Sequence, residues 1–387
     1  MTALMPSAPP QIERQALSAV QDVLVIGAGQ AGLAVGYHLR ASGVRFELVE
    51  RNLRIGDSWR QRYDSLSLFT PRSYSHLPGL LLDGDQEGYP TRDEIADYFA
   101  RYAAHFDIPV RLGTDVVRLE RNGEGFLAVL DDGSTIEARA VVVAAGAFQV
   151  PTGPAIALGL STSVTQLTPL SYHNPSSVPA GAVLVVGDGA TGRQIALDLA
   201  GSHRVILATG KKRSLAPQRV LGRSIFWWLD HLGLLRITGD SRLGRRLRSR
   251  DTLPRRDLAD RYLRRAGVEL APRLTAFDQA QAMFSNGETR DVGSVIWAAG
   301  YHDDTTWLRI PEAVDASGSF VETQGASPVP RLFFVGRPWQ MTQSSGLVTG
   351  VGADAQAIVA VLVSSFTNVE TQRPERVAQT VKGTSPH

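Results

Sequence analysis

DVLVIGAGQAGLAVGYHLRASGVRFELVE, Asp22 to Glu50, decides the fold. Asp22 to Ile26 is a short apolar run that predicts a buried strand. Gly27, Gly29 and Gly32 follow in G-x-G-x-x-G spacing, and then a helix carried by Leu33, Val35, Tyr37 and Leu39. The helix stops near Ser42-Gly43, and Arg45 to Val49 returns as a second strand ending at Glu50. Gly27 permits the tight turn, Gly29 lets backbone approach a pyrophosphate, and Gly32 lets helix and strand pack closely. The helix N-terminus offers N–H groups and partial positive charge to phosphates. Glu50 stands where a carboxylate accepts hydrogen bonds from a ribose 2′-hydroxyl.

The pattern returns in AVLVVGDGATGRQIALDLAGSHRVILAT, Ala182 to Thr209, with Gly187, Gly189 and Gly192 between a strand and a helix. Two such units predict two dinucleotides, and they are not equivalent. The acid of the first unit has no counterpart in the second: the matching position is Thr209 or Gly210, followed at once by Lys211, Lys212 and Arg213. Three cations without a carboxylate suit a ribose bearing a 2′-phosphate, so the second site is expected to prefer NADPH over NADH.

Other stretches fill in an α/β architecture. Thr91 to Phe106 predicts a helix, with Ile95, Tyr98, Phe99, Tyr102 and Phe106 at helical spacing and a Thr91–Glu94 capping box. Val116–Leu119, Gly125–Leu130 and Ser134–Glu137 predict a meander of short antiparallel strands, after which Ala140 to Ala145 re-enters the sheet. VVVAAG (Val141 to Gly146) and VIWAAG (Val295 to Gly300) repeat one another, each an apolar strand ending at a glycine and each expected to mark a chain crossing between domains. Leu332 to Gly336 is a further strand, and Ser345 to Val363 leads into a final helix. PQRVLGRSIFWWLDHLGLL (Pro217 to Leu235), with adjacent Trp227 and Trp228, is amphipathic and reads equally as a lid or as a packed helical cap. Residues 242–265 hold ten Arg and three Asp, which predicts a solvated helix face.

Composition limits the chemistry. The 387 residues allow two or three domains, and 43% hydrophobic with 20% charged residues is a globular balance. Forty Lys and Arg against 38 Asp and Glu leave a net charge of +2, which is no nucleic-acid signature. The absence of cysteine excludes disulfides, thiolate metal sites, a Cys nucleophile and a dithiol electron relay. The histidines show no metal-binding spacing, and no Ser stands in a nucleophile elbow. No run is apolar and long enough for a membrane span, and the N-terminus lacks the pattern of a secretory signal, so a cytoplasmic protein is expected.

The run GDSWRQRYDSLSLFTPRSYSHLPG (Gly56 to Gly79), the two fingerprints and VIWAAGY together resemble the class B flavoprotein monooxygenases, which include the flavin-containing monooxygenases. The resemblance spans roughly residues 20–363. It implies two Rossmann-like dinucleotide-binding domains in a glutathione-reductase-like arrangement, the smaller inserted in the larger. The corresponding organisation is a flexible 1–18, an FAD-binding domain from 19–160 and 301–365, an NADPH-binding domain at 161–300 with an insert at 211–260, and a flexible tail at 366–387. FAD then falls to Gly27, Gly29, Gln30, Gly32 and Glu50, with Arg51 and Trp59 along its adenosine and flavin sides, Val117 as a backbone contact to adenine, and Gly146 and Gly336 at the two strand ends. NADPH falls to Gly187, Gly189, Thr191 and Gly192. Departures are visible: in the family stretch F-x-G-x-x-x-H-x-x-x-Y this chain has Thr162, Val164, Thr168 and Tyr172, and the usual Asn of the second fingerprint is Ala190.

The chemistry expected is transfer of a hydride from NADPH to FAD, then reaction with dioxygen, the simplest acceptor where no Cys pair exists. A flavin C4a-hydroperoxide would oxygenate a small substrate bearing sulfur or nitrogen. The alternatives are a flavoprotein reductase serving a ferredoxin or quinone, an NADPH oxidase, or a nucleotide-binding sensor without catalysis. Thr70, beside the flavin edge, and Gln340, in a loop expected to face the isoalloxazine together with Trp339 and Gln343, are the candidate catalytic residues. Partners are a small molecule and dioxygen, with no nucleic acid; a homodimer is compatible with the sequence.

Overall fold

The computed structural model describes residues 20–153, 155–210, 215–250 and 256–380. Its first sheet is built on Gln21–Ile26, whose Val23, Leu24 and Val25 have no exposed surface. That strand is flanked in parallel by Phe46–Glu50 and by Thr135–Val143, so both of its faces and both of its edges are covered. Val110–Leu112 extends the sheet in parallel beyond Phe46–Glu50. On the far edge, Thr135–Val143 divides its partners: its first half pairs antiparallel with Gly125–Leu130, and Val141–Val143 pairs in parallel with Leu332–Phe334.

This corrects one expectation. Ser134–Glu137 and Ala140–Ala145 are not two strands but one, Thr135–Val143. Nothing between them breaks the backbone. The burial alternates from Thr135 to Ala140 and then becomes continuous, where the strand passes from the one-sided meander to the two-sided parallel sheet. The meander is therefore part of the main sheet.

Helices Gln30–Ser42, Arg92–His105 and Val351–Thr380 cover one face through a shared core that includes Leu33, Leu39, Ile95, Phe99 and Leu362. The Thr91 capping box is formed: its hydroxyl accepts from Glu94 N–H and the Glu94 carboxylate accepts from Thr91 N–H at 2.8 Å. Two buried tyrosines of this helix hold the chain beside it. Tyr98 Oη accepts from Leu77 N–H and donates to Leu80 O, both at 2.7 Å, and Tyr102 donates to Pro78 O at 2.7 Å. The final helix runs from Val351 to Thr380.

The second sheet lies within the chain between the two portions of the first. Its order is Glu269–Ala271, Arg204–Ala208, Ala182–Val186, Ser294–Trp297, Thr165–Leu167, with every pairing parallel. A small antiparallel sheet, Leu274–Asp278, Gln281–Phe284 and Thr289–Asp291, packs beside it. The two passages of chain between the sheets run side by side: Val150–Pro151 pairs antiparallel with Tyr301–His302. The fold is thus α/β with two Rossmann-like units, one nested in the other. Among the described residues no helix is long and apolar enough to cross a membrane.

Asp354, in the first turn of the final helix, is 1% exposed, and its Oδ2 has no hydrogen-bond partner among the described residues. Burial pushes its carboxyl up to about 6; a hydrogen bond with Ser345 opposes the rise and Glu322 adds to it. Because the folded value lies above the unfolded one, stability is fully present below about pH 4 and declines as pH rises through about 6. Asp354→Asn is therefore expected to match the wild type at pH 4 and to exceed it at pH 7 by up to about 3 kcal/mol in urea unfolding. A difference between the two proteins that does not change with pH would contradict this.

Candidate functional site

Both fingerprints form the same strand–turn–helix. Gly27 has φ +102°, and a Cβ there would lie 2.7 Å from Ala144 O; Gly187 has φ +106°, and its Cβ would lie 2.3 Å from Ala298 O. Each first glycine is thus pressed against the neighbouring strand in a conformation that side chains rarely adopt. The third glycine lets the helix lie on the turn: a Cβ on Gly32 would be 1.8 Å from Gly27 O, and one on Gly192 would be 1.9 Å from Gly187 O. Gly29 and Gly189 are the helix N-caps; nothing stands within 4 Å of a Cβ on Gly29, and neither helix carries an acid in its first turn. Unopposed N–H groups facing open space suit an anion.

Glu50 does local work as well. Its Oε2 accepts from Ala28 N–H at 2.9 Å, and its Oε1 accepts from Asn52 N–H and Nδ2–H at 3.0 and 2.6 Å. The carboxylate is fixed at the fingerprint turn, with acceptor capacity left for hydroxyl groups. Arg51 is exposed nearby, and Trp59 packs against Phe99 in the core. Val117 is the extra residue of a bulge: Val116 faces Leu130 and Arg118 faces Val129, so Val117 stands out of register. Gly146 and Gly336 both have positive φ at strand ends, and a Cβ on Gly336 would meet Ala31 of the first fingerprint helix at 2.7 Å.

The second fingerprint opens on a cleft of about 530 Å³. It is lined by Gly187–Thr191, by Thr209, Gly210 and Arg273, and by Phe148, Gly300 and Tyr301. Thr209 donates its hydroxyl to Ala271 O at 2.9 Å. Lys211, Lys212 and Arg213 lie outside the described residues. Arg273, which the sequence did not single out, is exposed, lines the cleft and has no side-chain partner among the described residues.

Thr70 is buried, with its hydroxyl 2.7 Å from Ser75 Oγ. Gln340 is buried too: its Oε1 accepts from Gly336 N–H at 3.1 Å and its Nε2 donates to Phe334 O at 2.8 Å. Both ends of the amide shape the turn after Leu332–Phe334. Both side chains hold loop backbone or a neighbouring hydroxyl in place. Trp339 beside Gln340 has φ +60°.

The insert packs as a cap. Phe226 stacks on Phe69 and packs at a tilt against Tyr74, Tyr74 Oη donates to Asp230 Oδ2, and Ser224 N–H donates to Glu87. On its other side Gln343 N–H donates to Ile237 O and Ser344 N–H donates to Leu235 O, which ties the insert to the loop around Gln340. A further contact escaped sequence reading: Arg193, 3% exposed, follows the last fingerprint glycine. Its guanidinium donates to Asp188 O at 3.0 Å, Leu258 O at 2.8 Å and Asp260 Oδ1 at 2.8 Å, and pairs with Asp188 Oδ2 at 3.5 Å. It clamps the fingerprint loop to the end of the insert.

The pyridine nucleotide-disulphide oxidoreductase model matches residues 24–222, half of the chain, spanning both fingerprints. The chain belongs to that family. A CzcO-like oxidoreductase of Geobacillus kaustophilus is 42% identical over 88% of this chain and 97% of its own length. A probable indole-3-pyruvate monooxygenase of Arabidopsis thaliana, YUCCA9, is 27% identical over 77% of this chain and 79% of its own. The solved flavin-containing monooxygenase of Stenotrophomonas maltophilia superposes with a TM-score of 0.75 at 26% identity, covering 89% of this chain and 98% of that one. The resemblance to flavin monooxygenases thus holds in sequence and in fold.

Arg193→Ala removes the buried guanidinium that joins Asp188 O, Leu258 O and Asp260 and is expected to cost on the order of 3 kcal/mol in urea unfolding. A loss below about 1 kcal/mol would mean that the clamp is not a stabilising element of the second unit.

Proposed function

We propose that this chain is an NADPH-dependent, FAD-containing monooxygenase that transfers one atom of dioxygen to a small substrate bearing sulfur or nitrogen. The observation that carries the reading is the pair of matching fingerprints, each on a parallel strand pair of one of two nested sheets joined by one short ribbon, in a chain without cysteine. Flavin monooxygenases among its relatives support the same class. Residues 19–160 and 301–365 form the FAD unit, and residues 161–300 form the NADPH unit.

The geometry fits FAD at the first fingerprint, because the open space above Gly29 and the fixed Glu50 suit a pyrophosphate and a ribose diol. Gly27, Gly29, Gln30 and Gly32 hold the diphosphate, Glu50 accepts from the ribose hydroxyls, Val117 offers backbone to the adenine, and Arg51, Trp59, Gly146 and Gly336 border the rest. FAD, when bound, supplies the chemistry that accepts a hydride and reacts with dioxygen. Gly187, Gly189, Thr191 and Gly192 hold the diphosphate of NADPH, and Arg273 with Lys211, Lys212 and Arg213 bind its 2′-phosphate. Thr70 and Gln340 fix the loops beside the flavin, and the insert covers the loop around Gln340 and excludes water from it.

Two measurements test the reading. The purified protein is expected to be yellow, to bleach with NADPH under argon, and in ¹⁸O₂ to give sulfide or amine products carrying one labelled oxygen. A colourless protein that takes up no flavin, or hydrogen peroxide as the sole product with every sulfide and amine supplied, would overturn it. Arg273→Ala is expected to lower kcat/KM for NADPH about tenfold to hundredfold, the loss of a charge-assisted contact, while leaving NADH within about twofold.

A further inference from the structure

The cleft of the second unit has a direction that the sheet order dictates. The fingerprint strand Ala182–Val186 has Arg204–Ala208 on one side and Ser294–Trp297 on the other. A diphosphate on Gly187–Thr191 therefore sends its two nucleosides opposite ways. One goes toward Thr209, Gly210 and Arg273, where the cationic determinants lie; the other goes toward Gly300 and Tyr301.

At that second end three side chains converge from three parts of the chain. Phe148 follows the end of Thr135–Val143, and Tyr301 follows the end of Ser294–Trp297; the paired passages Val150–Pro151 and Tyr301–His302 bring them together. Their rings meet edge to face, 5.2 Å apart. Arg62, from the first unit, donates to Tyr301 Oη at 3.0 Å, with its guanidinium carbon 5.9 Å from the Phe148 ring and 5.6 Å from the Tyr301 ring. Phe148 is nonetheless 59% exposed and lines the cleft. A large ring left that open, beside a fixed guanidinium, is a face that lacks its partner.

The location is equally specific. Phe148 stands four residues after Ala144, against which Gly27 is pressed, and Tyr301 three residues after Ala298, against which Gly187 is pressed. Each ring thus stands within four residues of a strand end on which one fingerprint turn is packed.

We infer that Phe148 and Tyr301, oriented by Arg62, form the platform on which the nicotinamide half of the dinucleotide lies. This rests on the reading of the second unit as an NADPH site. Phe148 supplies an exposed aromatic face, Tyr301 the neighbouring edge, and Arg62 is a positioning residue that locks both rings from the side of the first unit.

The test compares two probes on the flavin-loaded protein by calorimetry: NADP⁺, which carries the nicotinamide half, and 2′,5′-ADP, which lacks it. Phe148→Ala is expected to weaken NADP⁺ about tenfold, the order of an aromatic stacking contact, and to leave 2′,5′-ADP within about twofold. Phe148→Trp, which keeps a face, retains NADP⁺ affinity; the exposure of the side chain makes both variants compatible with folding. Arg62→Ala weakens NADP⁺ but not 2′,5′-ADP, and slows anaerobic bleaching by NADPH more than it raises the Kd. Equal weakening of both probes by Phe148→Ala, or no weakening of either, would overturn the platform while leaving the NADPH site standing. Wild-type protein that binds neither probe would overturn the NADPH site itself, and the platform with it.

Discussion

A helix lies flat on the carbonyl of a preceding turn only where no side chain stands between them, and both nucleotide sites depend on that contact. With a Cβ at Gly32 or Gly192 the helix would be driven off its strand, since the space left is under 2 Å in each case. The first amides of the helix would then point away from the crevice that they face, and the partial positive charge would be lost to solvent. The same turns are pinned from the other side by Ala144 and Ala298. Each phosphate cradle is therefore a three-layer sandwich of helix, turn and neighbouring strand, and nothing in it can relax alone.

From these pinned strands the remainder of the site follows. Ala144 and Ala298 lie just before the two passages of chain that cross between the units, so the packing that builds each cradle also fixes where those passages leave their sheets. Further contacts weld the first unit to the second. Tyr63 Oη donates to Gln194 Oε1 at 2.6 Å, Asp64 N–H donates to His173 O at 2.7 Å, and Arg62 reaches Tyr301. All three come from one short stretch, which is why the run from Gly56 to Gly79 behaves as a mortise between the two sheets.

What could be read beforehand was local. The glycine spacings, Glu50 and the Thr91 cap each declare themselves within a few residues, because the turn, the carboxylate and the capping box are made by neighbours in sequence. What escaped was made by distant partners. Nothing near Arg193 announces that Leu258 and Asp260 will complete its shell, and nothing near Arg273 places it beside Thr209. Thr70 and Gln340 drew notice as polar groups in loops, yet burial turned both inward to satisfy backbone and hydroxyl partners. The single strand Thr135–Val143 was divided in reading because its two halves face different surroundings, although its backbone never breaks.

The paired passages Val150–Pro151 and Tyr301–His302 have a topological corollary. Because they are hydrogen-bonded neighbours, the inner unit begins and ends within about 5 Å, one strand spacing. A module whose two termini are that close can be spliced into a host loop without stretching either partner, or cut out and bridged by a two-residue turn. The outer unit closes its own sheet through Leu332–Phe334 after the detour, so the chain leaves the first sheet and returns to it without its own strands being parted.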